Sequence, residues 1–296
     1  MRRFAHFACV DWSGARGERL PGIAVAECGA GDAAPRLRRP QGGGRWSREA
    51  VLDWLLDEAR GGTDLFVGID FSASLPFADR NAFFPGLVGS PRDARALWRV
   101  VECHATADPH LAATSFVAHP TLRPYFRVGK DTGARFHCDT GNGRLRVVER
   151  HAASGRPVSS FNLVGAAQVG LSSLTGMRLL HRLDGKLAIW PSDPVPTTGP
   201  VVAEIYTSIA ARAAARALGL RPRGTKMRTI EALNASLGSP ALVSAAVPGT
   251  GAIDDHAADA LLTAAWLRRA ADDPAFWRPQ GLEAVRNTEG WTFGVP

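Results

Sequence analysis

Residues 47–70 read S-R-E-A-V-L-D-W-L-L-D-E-A-R-G-G-T-D-L-F-V-G-I-D. Ser47 is a good N-cap, and Val51, Leu52, Leu55, Leu56 and Ala59 recur on one helical face until Gly61 and Gly62 end the pattern. The spacing predicts an amphipathic helix. The run L-F-V-G-I-D at 65–70 is continuously apolar and closes on an acid, as expected of a strand covered on both faces. Upstream, F-A-H-F-A-C-V-D at 4–11 reads the same way. A strand, helix, strand unit normally makes a right-handed parallel crossover, so the two strands belong side by side in one sheet. Between them, Gly14 to Gly17 supply a turn into a second strand near Ile23 to Glu27, and Pro35 to Gly44 holds a short third strand followed by a loop. The expected fold class is α/β: a central mixed sheet whose first three strands are antiparallel, continued by parallel strands with helices on both faces.

Beyond this unit the signals weaken. Residues 76–160 carry many prolines, scattered histidines and one plausible helix at Arg92 to His104, and read as an insertion or subdomain over the sheet. Order returns with a small-residue helix at Val164 to Leu183, which contains Gly165, Gly170 and Gly176. Strands at Leu187 to Trp190 and Val201 to Tyr206 follow, then helices at Ile209 to Leu218, Lys226 to Leu237 and from near Ile253. Residues 1–296 are expected to form a single elaborated domain with 76–160 set within it.

Apolar residues make up 45% and charged residues 21%, which excludes a largely disordered chain. Four cysteines, Cys9, Cys28, Cys103 and Cys138, have neither paired spacing nor the density of a secreted scaffold, so a cytoplasmic location is expected. The apolar run at the N-terminus is broken by His6 and ends at Asp11, too short for a signal peptide core, and no stretch is long enough to span a membrane. The net charge is +7, and only Lys130, Lys186 and Lys226 are lysines. Arginine suits phosphate, but a genome that encodes arginine and alanine freely accounts for this composition equally well.

The carboxylates are more informative. Asp11 and Asp70 each close a strand, so parallel neighbours would deliver both to one carboxyl edge, where open α/β sheets bind ligands. Two such acids repel, and one another's pKa rises unless a cation intervenes. Oxygen donors with open positions favour magnesium or manganese over zinc. A third piece is D-D-H-A-A-D-A-L at 254–261, where Asp255 and Asp259 are four apart and His256 and Asp259 three apart, so either pair shares a helical face. Ala257, Ala258, Ala260, Ala264 and Ala265 keep this helix thin enough to bring Asp259 against the sheet. Asp254 reads as the N-cap, with Asp255 favourable to the dipole in the first turn.

V-D-W-S-G-A at 10–15, G-I-D-F-S at 68–72, A-E-I-Y at 203–206 and D-D-H-A-A-D-A-L at 254–261 together resemble the predicted RNase H-like nuclease family known as domain of unknown function 429. The final motif is also similar to the last helix of RuvC-type resolvases. The resemblance runs from Asp11 to the E-G-W near Trp291, while residues 80–150 match nothing in the pattern. It implies a ribonuclease H-like fold and metal-dependent hydrolysis of phosphodiester bonds in DNA or RNA. It further implies that Asp11, Asp70 and Asp259 hold Mg2+ or Mn2+, with Asp255 a further candidate ligand, and that His256 is a ligand or moves protons.

Other readings stand beside it. Glu204 either joins the cluster as a catalytic acid or pairs with an arginine. Ser13 and Ser72 either bind phosphate or cap the next element, and Trp12 either packs in the core or stacks on a base. His104, His110, His119, His137 and His151 with Cys103 and Cys138 match no closed zinc pattern. An ATP-binding protein of the actin and sugar-kinase superfamily is the main rival, since residues 11–14 resemble its phosphate turn. A nucleic-acid-binding module without turnover is the third reading.

Overall fold

The computed structural model describes residues 2–136, 143–151, 158–164, 169–221 and 227–296. Ser47 caps α1 (Arg48–Arg60), its side chain accepting from the Ala50 amide. The helix joins β1 (His6–Asp11) to β4 (Leu65–Asp70), and these strands pair in parallel. β2 (Ala24–Gly29) runs antiparallel to β1, and β3 (Arg36–Arg38) antiparallel to β2. On the far side of β4 lie β8 (Val201–Ile205) and then β7 (Ala188–Trp190), both parallel. The order across the six-stranded sheet is therefore β3-β2-β1-β4-β8-β7. The mixed α/β architecture expected from the sequence is observed.

Strand alternation sorts the side chains of the sheet between two apolar layers. Ala8, Val10, Val67, Ile69 and Val202 join one, together with α1, α2 (Ala94–Ala105) and α4 (Val169–Leu183). Phe7, Cys9, Phe66, Ala203 and Ile205 join the other, with α5 (Thr207–Ala217), α6 (Ile230–Leu237) and α7 (Asp255–Ala270). Most of the helical stabilisation comes from burying these faces, roughly 2 kcal/mol for each large apolar side chain. α7 sits close to the sheet because Ala260, Ala264 and Ala265 are small and fully buried. At Gly68 an added Cβ would stand 2.8 Å from Ile205 Cγ2 and 2.9 Å from Leu267 Cδ1, so that approach leaves no room for a side chain.

Within 76–160, the described residues include α2, α3 (Thr114–Ala118) and a small hairpin of β5 (Arg127–Val128) and β6 (Asp131–Thr132). Phe83, Trp98, Phe116 and Phe126 share one apolar cluster with Ala8 and Val10 of β1. This stretch thus lies against the core rather than apart from it. The chain finishes with two short helices, α8 (Pro274–Trp277) and α9 (Leu282–Val285). Observed boundaries shift modestly from the pattern: α4 begins at Val169 and α6 at Ile230 behind a Thr229 cap, while Gly165 and Lys226 lie outside the described residues. Among the described residues, no helix is long and apolar enough to cross a membrane.

Candidate functional site: a carboxylate cavity at the sheet edge

The register sets Val10 beside Ile69, so Asp11 and Asp70, one residue further on, leave the sheet together at its carboxyl edge. Both share the parity of Cys9 and Gly68, and therefore face the layer that contains α7. Asp254 caps that helix through the His256 and Ala257 amides, as its position suggested. His256 lies in the first turn, with Asp259 one turn on. Asp11, Asp70, His256 and Asp259 all line one cavity of about 640 Å³, bounded also by the Ser13–Gly14 turn, Ser172 and Tyr206. Gly14 is required there, because an added Cβ would lie 2.3 Å from the Ser172 amide nitrogen of α4.

The electrostatics of the cavity are one-sided. No lysine or arginine is among the described residues that line it. Burial pushes the Asp70 carboxyl up to about 7; the charges of Asp11 and Asp259 add to this, while hydrogen bonds from Thr207 oppose it. Thr207 Oγ1 donates to Asp70 Oδ2 at 2.7 Å. The Cys9 thiol beneath is likewise raised, first by burial and then by Asp11, Asp70 and Asp259. His256 Nδ1 stands 2.8 Å from Asp11 Oδ2, and its ring is the more exposed partner, at 43% against 9%. A protonated His256 donates to Asp11, and its exposure lets it exchange that proton with solvent.

The donor set matches a hard divalent cation in kind: carboxylate oxygens that carry negative charge. The carboxylates are not already closed into a cage. Among the described residues, no three His, Cys, Asp or Glu side chains are gathered tightly enough to enclose an ion as they stand. Asp11, Asp70 and Asp259 are the residues able to hold one.

Two other candidates are placed elsewhere. Glu204 is not in the cavity. It sits beside Ile69 on β8, with the parity of Val202, so its side chain leaves the opposite face of the sheet from Asp70. There Arg146 grips it from two nitrogens, Nη1 to Oε2 at 2.8 Å and Nη2 to Oε1 at 2.5 Å, and the Ala73 amide and Thr292 hydroxyl complete its shell. Of the two readings for Glu204, pairing with an arginine is the one displayed. Asp255 is not among the residues that line the cavity, and Arg228 Nε stands 3.8 Å from its Oδ1. Trp12 is a core residue rather than a stacking platform: it is 5% exposed, and its Nε1 donates to Thr175 Oγ1 at 3.0 Å. Ser13 caps its own turn, accepting from the Ala15 amide. His137 and Cys138 lie outside the described residues.

The sequence reading missed Thr207 and the network around Arg146. Arg146 also bonds Glu149 at 2.9 Å and the Tyr206 hydroxyl at 3.0 Å, with both ionic side chains fully buried. Burial works against the Arg146 charge, but Glu204 and then Glu149 outweigh it and raise its pKa well above the usual value. Burial and then Glu149 raise the Tyr206 hydroxyl, so it stays protonated at the cavity wall. Thr207 was legible in principle, since it follows β8 as closely as Ser13 follows β1. Arg146 was not, because it lies in the stretch without periodic pattern.

Comparison with known proteins returns no match: no family model, no curated protein and no solved structure aligns with the chain.

Proposed function

We propose that this protein is a metal-dependent nuclease of ribonuclease H-like architecture that hydrolyses phosphodiester bonds through the acids of the sheet edge. The observation that carries the reading is the convergence of Asp11, Asp70 and Asp259, distant in sequence, on one cavity at the carboxyl edge of the sheet. Carboxylates buried side by side raise one another's pKa, and such clusters concentrate at functional sites. The sheet order is compatible with the architecture, since three antiparallel strands are continued by parallel ones with helices on both faces. The four motifs that resemble the nuclease family fall at the strand ends and on α7.

On this reading Asp11, Asp70 and Asp259 hold Mg2+ or Mn2+. When bound, the ion supplies a Lewis acid that lowers the pKa of water and stabilises the leaving oxygen. The protein's own groups do the rest. Thr207 keeps one Asp70 oxygen oriented and favours its charged form. His256 sits at the solvent side of Asp11 and can move a proton to or from the cavity. The Tyr206 hydroxyl stays neutral and offers a fixed polar group at the wall.

The test is a cleavage screen of single-stranded, duplex, branched and RNA–DNA hybrid substrates with Mg2+ or Mn2+, run beside the Asp11→Asn protein. Cleavage by the wild type that needs the metal and disappears in the variant is expected. Equal cleavage by both proteins rejects the assignment. Tight stoichiometric binding of ATP with no cleavage of any substrate would favour the nucleotide-binding rival instead.

A further inference from the structure

A second cleft of about 480 Å³ adjoins the carboxylate cavity, and Gly14 and Ala15 line both. Its chemistry is the reverse of its neighbour's. Ala113, Val117, Val128, Leu163 and Leu171 line it, and no acid is among its described lining residues; the cations there are Arg16 and Arg123. Its volume is that of a small-ligand site, ample for one nucleobase.

The wall between the two spaces is held by unusual means. Arg48, only 1% exposed, donates to the carbonyls of Ser13 and Ala15 on one side and of His110 on the other. Arg178, equally buried, donates to the carbonyls of Asp108 and Ala112. Between those anchors His110 and Leu111 hold φ of +55° and +51°, a region that side chains other than glycine adopt at a cost. Two buried guanidiniums and two strained residues therefore fix the 108–112 loop against the turn that follows β1. That turn is the one that carries the carboxylate cavity.

We infer that this cleft receives one unpaired nucleobase of a single-stranded segment whose adjoining phosphodiester lies in the carboxylate cavity. The inference deepens the nuclease reading and rests on it for the identity of the ligand. A strand that places its phosphate among the acids must carry its next nucleoside past Gly14 and Ala15, where an apolar slot awaits a flat, weakly polar group. Arg16 at this slot complements a phosphate beside that base, whereas Arg123 is already paired with Asp131. A base held in a duplex stack cannot enter, so the preferred substrate is single-stranded or unpaired beside the cut.

The test uses the whole chain with Ca2+ in place of Mg2+ or Mn2+, a hard cation that offsets the charge of the acids while binding is read. Single-stranded oligonucleotides carrying the fluorescent base 2-aminopurine at successive positions are titrated, with the matching duplex alongside. Thr114 and Ala118 lie four apart on α3, line the cleft and are exposed, so Thr114→Leu with Ala118→Leu narrows the cleft without touching the core. The wild type is expected to change the emission of one position and to bind the single strand more tightly than the duplex. The double variant should lose that emission change and bind the single strand about tenfold more weakly, the scale of one base contact.

The outcomes separate the two ideas. Wild-type emission and affinity in the double variant, or failure of the wild type to bind the single strand, overturns the cleft assignment, whether or not the protein cleaves. Absence of metal-dependent cleavage alongside an emission change that the double variant abolishes leaves the cleft standing and rejects the nuclease reading.

Discussion

Two sets of buried acids lie one residue apart in register and on opposite faces of the same sheet. Glu204, beside Ile69, meets Arg146 and is satisfied by a guanidinium, an amide and a hydroxyl. Asp70, the next residue along β4, meets Asp11 and Asp259, and only Thr207 moderates it. The first set is closed around its own arginine and its side chains are sealed from solvent; the second opens onto a cavity. What separates a structural acid from a candidate site acid is therefore whether it is closed into a sealed ion pair or gathered with other acids at the wall of a cavity. Burial alone does not distinguish them.

The contrast is sharpest in activity. Asp11→Asn and Asp259→Asn should each reduce metal-dependent cleavage to background while thermal unfolding stays close to wild type, as gel assays and calorimetry would show. Next in size is the structural set. Arg146→Met leaves Glu204 and Glu149 buried without their cation and should cost about 3–5 kcal/mol in urea unfolding. If Arg146→Met is neutral in stability, the distinction between the two sets fails.

A smaller effect follows from the Asp70 proton. Its folded pKa, about 7, lies above its ordinary value of 3.8, so the folded state binds that proton more tightly than the unfolded chain does. Its stabilising contribution is complete below about pH 4 and is lost as pH rises through 7. Metal-free wild type should therefore lose roughly 2–4 kcal/mol across that window relative to Asp70→Asn, measured by urea unfolding at a series of pH values. Smallest is Thr207→Val, which removes the hydroxyl donor and should raise the Asp70 pKa further, destabilising the protein at pH 8 by about 1 kcal/mol.

Much of this layout was legible in the sequence, for definite reasons. The Ser47 cap, the apolar spacing to Ala59 and the Gly61–Gly62 stop specify α1 locally, and the crossover then requires β1 and β4 to be parallel. Asp11 and Asp70 follow from that with no further information. The alanines of α7 announced its close approach, and Asp254 its start. Glu204 stays open between two readings when strand-end position is taken alone, and parity decides it: counted from the apolar neighbours in V-V-A-E-I, it faces with Val202 and away from Ala203 and Ile205. Arg146 and the strained pair at His110 and Leu111 were invisible because long-range contacts, not local periodicity, hold them in place.

Titration of Mn2+ into the metal-free protein by calorimetry tests the central claim most directly, that Asp11, Asp70 and Asp259 jointly bind a hard divalent cation. Saturable binding is predicted for wild type and for Asp255→Asn, whose side chain lies outside the cavity, and should be lost in Asp11→Asn, Asp70→Asn and Asp259→Asn. A wild type that takes up no ion, or three cavity variants that bind it as well as wild type does, would contradict the account.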